Sequence, residues 1–191
     1  MNDTALQVQK QRLRAAARAR LHGIPAQSFE VMGRAMARRV CALEAWRAAH
    51  RVFCFVSAGA EPDTRPLLQA ALAEGKALYV PRITGPGRME PARLYELAAL
   101  EPGPFGIPSA PGGAPTAGPG EMGLALVPCL LACPSGARLG HGGGYYDRFL
   151  AGFEGVSAVL CPHALLAGSL PMGPFDRQCA LVVTEREVFI C

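Results

Sequence analysis

Residues 136–150 (GARLGHGGGYYDRFL) bring together groups that can hold a phosphate or another anion. Glycine lets backbone amides come close to a ligand, and four glycines stand within five positions: Gly140, Gly142, Gly143 and Gly144. The residues after this loop can begin a helix whose first amides face the same ligand. Arg138 and Arg148 flank the loop with guanidinium groups suited to phosphate. Because the stretch lacks the Lys-Ser or Lys-Thr pair of a Walker loop, it indicates another kind of anion site or, as the alternative, a structural turn.

Two further cations, Lys10 and Arg14, stand four residues apart near the start of the chain. This spacing places both side chains on one face of a helix, from which both can reach one polyphosphate. The alternative is an ordinary pair of solvated charges.

Around these residues the chain alternates between predicted helices and strands. Apolar residues at helical spacing predict helices over residues 4–21 and 28–43, with Ser28 as the N-cap of the second. Asp63 and Thr64 can cap a third helix over residues 65–74, and a helical pattern returns after Gly144. Short apolar runs predict strands at residues 51–57, 77–81, 89–94, 123–128, 156–161, 181–184 and 188–191. This alternation predicts an α/β fold with an open, mostly parallel sheet flanked by helices.

The length of 191 residues favours a single domain, residues 1–191, since no linker or internal repeat interrupts the chain. N-terminal helices within residues 4–44 precede an α/β core at residues 51–191. In that core, residues 101–121 contain six prolines and no periodic pattern, so we expect a long, mobile loop. Pro91 would confine its predicted strand to an edge of the sheet.

The composition excludes a disordered chain, because half of the residues are hydrophobic and only 18% are charged. The net charge of +4 is mild, although residues 1–51 carry ten basic residues against three acidic ones. Such asymmetry is typical of a solvated helix face, a phosphate ligand or a nucleic-acid surface. Only two aromatic residues, Phe29 and Trp46, stand among the basic ones, which is not the interleaving that binding of single-stranded nucleic acid would require. We therefore expect no nucleic-acid partner.

Seven cysteines follow no metal-ligand spacing, and most lie in apolar runs. They are typical of buried free thiols in a reducing compartment. No apolar run approaches the ~20 residues that cross a bilayer, and the first residues lack the apolar region of a signal peptide. We expect a cytoplasmic protein without a membrane partner.

Nine of the twelve positions from Gly136 to Asp147 match a family signature. The stretch resembles the GxRLGxGxGYYD motif of the 5-formyltetrahydrofolate cyclo-ligase family, also called methenyltetrahydrofolate synthetase. The matching residues are Gly136, Arg138, Leu139, Gly140, Gly142, Gly144, Tyr145, Tyr146 and Asp147. Shorter segments resemble the family in the same order along the chain: Lys10, Leu13 and Arg14; Ser57, Glu61, Asp63 and Thr64; Pro81 and Arg82; Phe105, Gly106 and Ile107; and Leu170, Pro171 and Asp176.

The resemblance implies a three-layer fold similar to that of CoA-transferases and sugar-phosphate isomerases. It implies a monomeric enzyme that uses ATP and Mg²⁺ to close 5-formyltetrahydrofolate, or its polyglutamates, into 5,10-methenyltetrahydrofolate. In the scheme implied, the formyl oxygen takes the γ-phosphoryl group of ATP and leaves as phosphate.

The resemblance also assigns roles to residues. Arg138 and Tyr146 would act in catalysis. The residues implied in ATP binding are Lys10, Arg14, Arg138, Leu139, Gly140, His141, Gly142, Gly143, Gly144, Tyr145 and Tyr146. Val56 and Glu61 would contact the folate, and Asp147 and Asp176 would hold Mg²⁺. The alternatives from the residues themselves are helix capping for Asp147 and a capping or surface acid for Glu61.

Four positions depart from the family's pattern. Cys133 stands where a carboxylate is expected, Ser109 follows the Phe-Gly-Ile segment in place of Glu or Gln, and Ala180 replaces an acid. Residues 163–169 lack an expected Gln. These losses leave an alternative open, in which the chain is a non-catalytic relative that binds a nucleotide or a folate.

Overall fold

The computed structural model describes residues 3–191, and its centre is a seven-stranded sheet. The helices are α1 (Asp3–His22), α2 (Ala26–Ala42), α3 (Glu44–Ala48), α4 (Arg65–Ala73) and α5 (Tyr145–Ala151). The strands are β1 (Arg51–Cys54), β2 (Ala77–Gly85), β3 (Arg88–Arg93), β4 (Leu124–Pro128), β5 (Leu131–Ala132), β6 (Arg138–Leu139), β7 (Val156–Leu160), β8 (Leu181–Val183) and β9 (Val188–Ile190). Short 3₁₀ turns occupy Leu97–Ala99, Pro104–Gly106, Pro119–Glu121 and His163–Leu165.

The main sheet runs in the order β3-β2-β1-β4-β7-β8-β9. Its five central strands are parallel, and β3 and β9 pair antiparallel at the two edges. Strands β5 and β6 form a separate two-stranded ribbon. The prediction of an open, mostly parallel sheet is therefore confirmed. Pro91 lies in the edge strand β3, as predicted.

Alternate residues of the central strands face two different hydrophobic clusters, as the two-residue period of a strand requires. In β4, Leu124 and Leu126 pack with the cluster that contains Trp46 and Leu68, from α3 and α4. Ala125 and Val127 pack on the other face with a cluster that receives residues from α1 and α5. Helices therefore cover both faces, and the sheet is buried between them.

Two predicted helix caps are corrected. The second helix begins at Ala26 after Pro25, so Ser28 lies inside it and is not its N-cap. Proline fits the start of a helix because its fixed φ suits that position and its missing amide is not needed there. Thr64 does stand at the N-cap of α4, but its hydroxyl accepts a hydrogen bond from the Ser57 amide at 2.9 Å. Asp63 accepts the Arg65 amide at 3.0 Å instead.

Residues 101–121 are more ordered by hydrogen bonds than their composition predicted. The backbones of Glu101 and Ser109 exchange two bonds of 2.9 Å, which closes the first part of the loop. Farther on, Arg82 donates to the carbonyls of Pro111, Gly112 and Ala114 at 2.8–3.2 Å. The loop is thus anchored to β2.

Within residues 3–191, no helix has both the length and the apolar character that a membrane crossing requires.

Candidate functional site

A cleft of about 940 Å³ lies beyond the carboxyl ends of β1 and β4. Ligands of open α/β sheets bind at this edge, where the loops after parallel strands meet. Every site residue predicted from the sequence lines the cleft: Lys10, Arg14, Val56, Glu61, Arg138, Leu139, Gly140, His141, Gly142, Gly143, Gly144, Tyr145, Tyr146, Asp147 and Asp176. These residues come from widely separated segments, so the fold brings together what the signature could only suggest.

The glycine-rich loop is held at both ends by arginines. Arg14 donates from Nε to the Gly140 carbonyl at 2.9 Å, and Arg148 donates to the Gly143 carbonyl at the same distance. Arg148 also reaches the Gly87 carbonyl at 3.2 Å, which ties the loop to the turn between β2 and β3. Although Arg148 lines the cleft, the contacts that the structure shows for it are to backbone carbonyls. It therefore supports the shape of the loop.

Two glycines in this loop have backbone conformations that other residues rarely adopt. Gly142 has φ 107° and Gly144, which immediately precedes α5, has φ 68°. A Cβ on Gly142 would also meet the Arg14 guanidinium at 3.4 Å. Glycine is required here for the backbone path and not only for space.

Lys10 and Arg138 are buried cations that are already paired with carboxylates. Lys10 Nζ forms an ion pair with Asp176 Oδ2, and the two side chains are 7% and 20% exposed. Arg138 Nη2 donates to Asp147 Oδ1 at 2.8 Å, and these side chains are 3% and 27% exposed. In each of the two ion pairs, a residue predicted to bind phosphate contacts a residue predicted to bind metal.

One buried donor at the site has no partner among residues 3–191, namely Arg138 Nε. A buried donor without a hydrogen bond is uncommon in folded proteins, because it loses its water and gains nothing in return. The Arg138 side chain as a whole lines the cleft, and its guanidinium carries donors beyond the one that holds Asp147. A buried cation at this place fits a phosphate ligand.

Tyr146 lies between the cleft and the sheet, with its ring centroid 6.4 Å from that of Phe53. Burial raises the pKa of its hydroxyl, and the nearby Glu61 carboxylate raises it further. The hydroxyl therefore remains protonated across the physiological range and can serve as a hydrogen-bond donor to an anion.

Glu61 belongs to the loop after β1 and is oriented by its own backbone. Its Oε2 accepts the Ala58 amide at 2.9 Å, and its Oε1 lies 3.8 Å from Nε2 of His141 on the glycine-rich loop. The carboxylate faces the cleft and does not cap α4, a task that falls to Asp63.

Asp147 is also not a helix cap. It lies in the first turn of α5, where its Oδ1 accepts both the Arg138 guanidinium and the Arg177 amide, the latter at 3.2 Å. Asp176, the residue before Arg177, accepts the Lys10 ammonium and the Gly173 amide on its Oδ2. The two carboxylates therefore stand on neighbouring stretches of backbone, at one side of the cleft.

Asp147 and Asp176 suit an open Mg²⁺ site, and they do not form part of a site closed by protein ligands alone. Among residues 3–191 no cluster of three or more His, Cys, Asp or Glu side chains could hold a metal. Mg²⁺ in nucleotide sites takes one or two carboxylates and completes its shell with phosphate oxygens and water. In both aspartates the contacts that the structure shows fall on one oxygen, which leaves the second oxygen for a cation. The residues present therefore fit the metal.

Three of the four departures from the family's pattern lie away from the cleft. Cys133 is buried and donates to the Gly168 carbonyl at 3.2 Å, and neither Ala180 nor any of residues 163–169 is among the cleft residues. Ser109 does line the cleft, where its hydroxyl donates to the Pro81 carbonyl at 3.0 Å. The losses therefore spare the cations, the glycine-rich loop and both carboxylates.

The cleft has further walls that sequence reasoning missed. They are formed by Gln7, Phe55, Ile83, Met89, Phe175 and Arg177, with Phe105 and Ile107 from the Phe-Gly-Ile segment. Phe105 and Ile107 carried a signal in the family resemblance, whereas the others belong to no motif. The apolar members give the cleft a surface on which a flat ring system can pack.

The fold and the cleft together define a class, that of α/β proteins with a ligand cleft at the carboxyl edge of a parallel sheet. Comparison with known proteins makes the assignment specific. A family model described as the 5-formyltetrahydrofolate cyclo-ligase family matches residues 6–185. The chain belongs to the 5-formyltetrahydrofolate cyclo-ligase family.

Individual relatives agree with this assignment. The chain is 32% identical over 158 residues to a 5-formyltetrahydrofolate cyclo-ligase of Mycolicibacterium smegmatis, covering 76% of this chain and 81% of the relative. It is 28% identical over 158 residues to a probable 5-formyltetrahydrofolate cyclo-ligase of Caenorhabditis elegans, covering 73% and 75% of the two chains.

Solved structures show the same fold. The NMR structure of a 5,10-methenyltetrahydrofolate synthetase from Aquifex aeolicus superposes with a TM-score of 0.84 at 24% identity, covering 95% of this chain and 92% of the other. A second, from Mycoplasma pneumoniae, gives a TM-score of 0.74 at 14% identity, with 92% and 98% covered. The predictions of family, fold class and enzyme class are confirmed.

Proposed function

We propose that this chain uses ATP to close 5-formyltetrahydrofolate into 5,10-methenyltetrahydrofolate, with release of ADP and phosphate. The observation that carries the proposal is that one cleft gathers every residue assigned from the family signature. The departures from the family's pattern lie mostly outside that cleft, which favours a working enzyme over a non-catalytic relative.

The chemistry explains why ATP is needed. A formamide oxygen is a poor leaving group, and phosphate is a good one. The formyl oxygen attacks the γ-phosphorus, and the bond to the bridging oxygen breaks to release ADP. The N10 amine then attacks the activated formyl carbon, and the carbon–oxygen bond breaks as phosphate departs with the N10 proton. No protein nucleophile takes part, so catalysis consists of positioning and charge neutralisation.

Lys10, Arg14, Arg138 and the glycine-rich loop would hold the ATP phosphates. Arg138 would be the main catalytic group, because its buried guanidinium lines the cleft and has donors beyond the one that holds Asp147. Tyr146 adds a neutral hydroxyl whose raised pKa keeps it a donor. Donors fixed in advance in a water-poor cleft stabilise the developing charge more than the same groups in water would.

Asp147 and Asp176 would hold Mg²⁺, which when bound neutralises charge on the phosphate oxygens. On the folate side, Val56 and Ile83 offer apolar contact and Glu61 offers a carboxylate that can accept hydrogen bonds from a pteridine. The polyglutamate forms of the folate are proposed as substrates of the same monomeric enzyme, with no nucleic-acid or membrane partner. A cytoplasmic setting is proposed because all seven cysteines are free thiols.

The direct test is to mix the purified protein with MgATP and 5-formyltetrahydrofolate and follow the ultraviolet absorbance of the methenyl product together with ADP. We expect both products in equal amounts. Arg138→Ala and Asp147→Ala should abolish the reaction, whereas Glu121→Gln, which removes an ion-paired carboxylate outside the cleft, should leave it unchanged.

The same preparation separates an enzyme from a binding protein. Binding of MgATP raises the free energy of unfolding by RT ln(1 + [L]/Kd), seen as a thermal shift. If that shift occurs but no ADP is released when the folate is added, the chain is a non-catalytic relative and the proposal is contradicted.

A further inference from the structure

The two cations proposed to bind phosphate and the two carboxylates proposed to bind metal neutralise each other in this cleft. Lys10 pairs with Asp176, and Arg138 pairs with Asp147. The partners come from distant parts of the sequence in the first pair, 166 residues apart, and from β6 and α5 in the second. The same arrangement occurs twice in one cleft.

Both ion pairs are largely buried, so removing one partner of either pair costs stability. The Lys10 and Arg138 side chains are 7% and 3% exposed. Removing the partner of a buried charge is strongly destabilising, because the remaining charge has neither water nor a counter-ion. A phosphate that competes for Lys10 or Arg138 would leave the aspartate, which is 20% or 27% exposed, with a weaker counter-ion and beside a polyanion.

We propose that these two ion pairs make the cleft select metal-bound over metal-free nucleotide. The inference rests on the proposed function. With Mg²⁺ present, every charged group would have a new partner. The phosphates would pair with Lys10 and Arg138, and the metal would bind Asp147 and Asp176. Without it, metal-free ATP competes with Asp147 and Asp176 for the two cations and is repelled by both carboxylates. The aspartates would therefore determine specificity as well as bind the metal, because they weaken the binding of metal-free ATP.

This account makes a counter-intuitive prediction for the carboxylates. Asp176→Asn keeps an oxygen that can accept the Gly173 amide but loses the charge that holds Lys10. Asp147→Asn does the same for the Arg177 amide and Arg138. Each variant should bind ATP in the presence of EDTA more tightly than the wild type does. Couplings between two ligand sites are typically 5- to 150-fold in affinity, so we expect a gain of roughly tenfold. The affinity for MgATP should fall or stay unchanged.

Isothermal titration calorimetry with ATP plus EDTA, and separately with MgATP, measures both quantities without requiring turnover. Glu121→Gln is the matched control, since it removes a paired carboxylate outside the cleft and should leave both affinities as in the wild type. Thermal unfolding checks that each variant is folded, and the two Asn variants are independent, so the failure of one to fold leaves the other as the test.

The same measurement in a Lys10→Met chain distinguishes the loss of an ion pair from general repulsion between Asp176 and ATP. In that chain, Asp176→Asn has no cation to release, so its gain for metal-free ATP should be clearly smaller than in the wild-type background. If the gain persists undiminished in Lys10→Met, or if neither Asn variant gains affinity in the wild-type background, the inference is wrong. Loss of MgATP binding by the wild type itself would instead overturn the proposed function, and this inference with it.

Discussion

Arg138 combines three features at the scale of the residue: burial, an ion pair to Asp147 and a partnerless Nε. A guanidinium can bind Asp147 and a second anion at the same time because its donors form a rigid, planar fork, whereas an ammonium is a point charge. The role proposed for Arg138 therefore depends on shape as well as charge.

Arg138→Lys tests this dependence. We expect kcat to fall by about 10²- to 10³-fold, the cost of removing one well-placed donor from a transition state, while circular dichroism stays unchanged. Arg12→Lys, on the exposed side of α1 and outside the cleft, is the control. Activity close to that of the wild type in Arg138→Lys would show that charge alone suffices.

Cys179 gives a prediction for the pH dependence of stability. Burial raises the pKa of this thiol from its ordinary value of 9.0 to about 11, although the neighbouring Arg138 opposes the shift. Between these values the unfolded chain releases the proton and the folded chain keeps it, so the free energy of unfolding falls as pH rises. One thiol shifted in this way contributes a decrease of about 2–3 kcal/mol across that range.

Chemical denaturation of the wild type and of Cys179→Ala, at pH 8 and pH 11, measures this contribution. The variant should lose about 2 kcal/mol less stability over the interval. An equal loss in the two proteins would contradict the assignment.

At the scale of the element, the glycine-rich loop depends on backbone conformations that only glycine adopts readily. Gly142→Ala would force a side chain into φ 107° beside Arg14. We expect the loop to shift and MgATP binding to weaken by at least about tenfold, since left-handed conformations cost roughly 1–2 kcal/mol for other residues. Gly112→Ala, where a Cβ would meet nothing within 4 Å, should bind as the wild type does, as titration calorimetry can show.

The loop at residues 101–121 depends on Arg82. Arg82→Ala would leave the partly exposed carbonyls of Pro111, Gly112 and Ala114 without their donor, a loss of about 0.5–1.5 kcal/mol for each hydrogen bond. Hydrogen exchange at residues 109–117 should accelerate, and the KM for the folate should rise. The control is Arg88→Ala, which removes an exposed arginine from the adjacent strand. Unchanged exchange in Arg82→Ala would contradict the anchoring.

Much of the sheet could be predicted because its signals are local. The apolar runs of β1 and β4 are visible in the sequence. The start of α2 and the anchoring of residues 101–121 were not predictable in the same way. Pro25 and Ser28 both suit a helix start, and the contacts of Arg82 exist only after the fold has formed.

The candidate site shows the same division. The family resemblance was enough to nominate half of the residues that line the cleft, including Lys10, Glu61 and Asp176. Their pairing was not visible, because the Lys10–Asp176 contact joins residues 166 positions apart and has no local pattern. The assigned roles stay predictions until they are measured.

For the whole molecule, the seven-stranded sheet serves to bring segments from both ends of the chain to one edge. Lys10 reaches that edge from α1, and Asp176 reaches it from the loop before β8. The cations, the loop and the carboxylates can then enclose the transferred phosphoryl group together with the folate. In the proposed reaction, the formyl oxygen leaves the folate as an oxygen of phosphate.

Oxygen transfer tests that claim most directly. 5-Formyltetrahydrofolate labelled with ¹⁸O in the formyl group is converted by the enzyme in unlabelled water with MgATP, and the phosphate is examined by mass spectrometry. We expect one ¹⁸O atom in each phosphate molecule formed, and phosphate in equal amount to the methenyl product. Methenyl product accompanied by unlabelled phosphate, with the ¹⁸O in water, would contradict the proposed reaction.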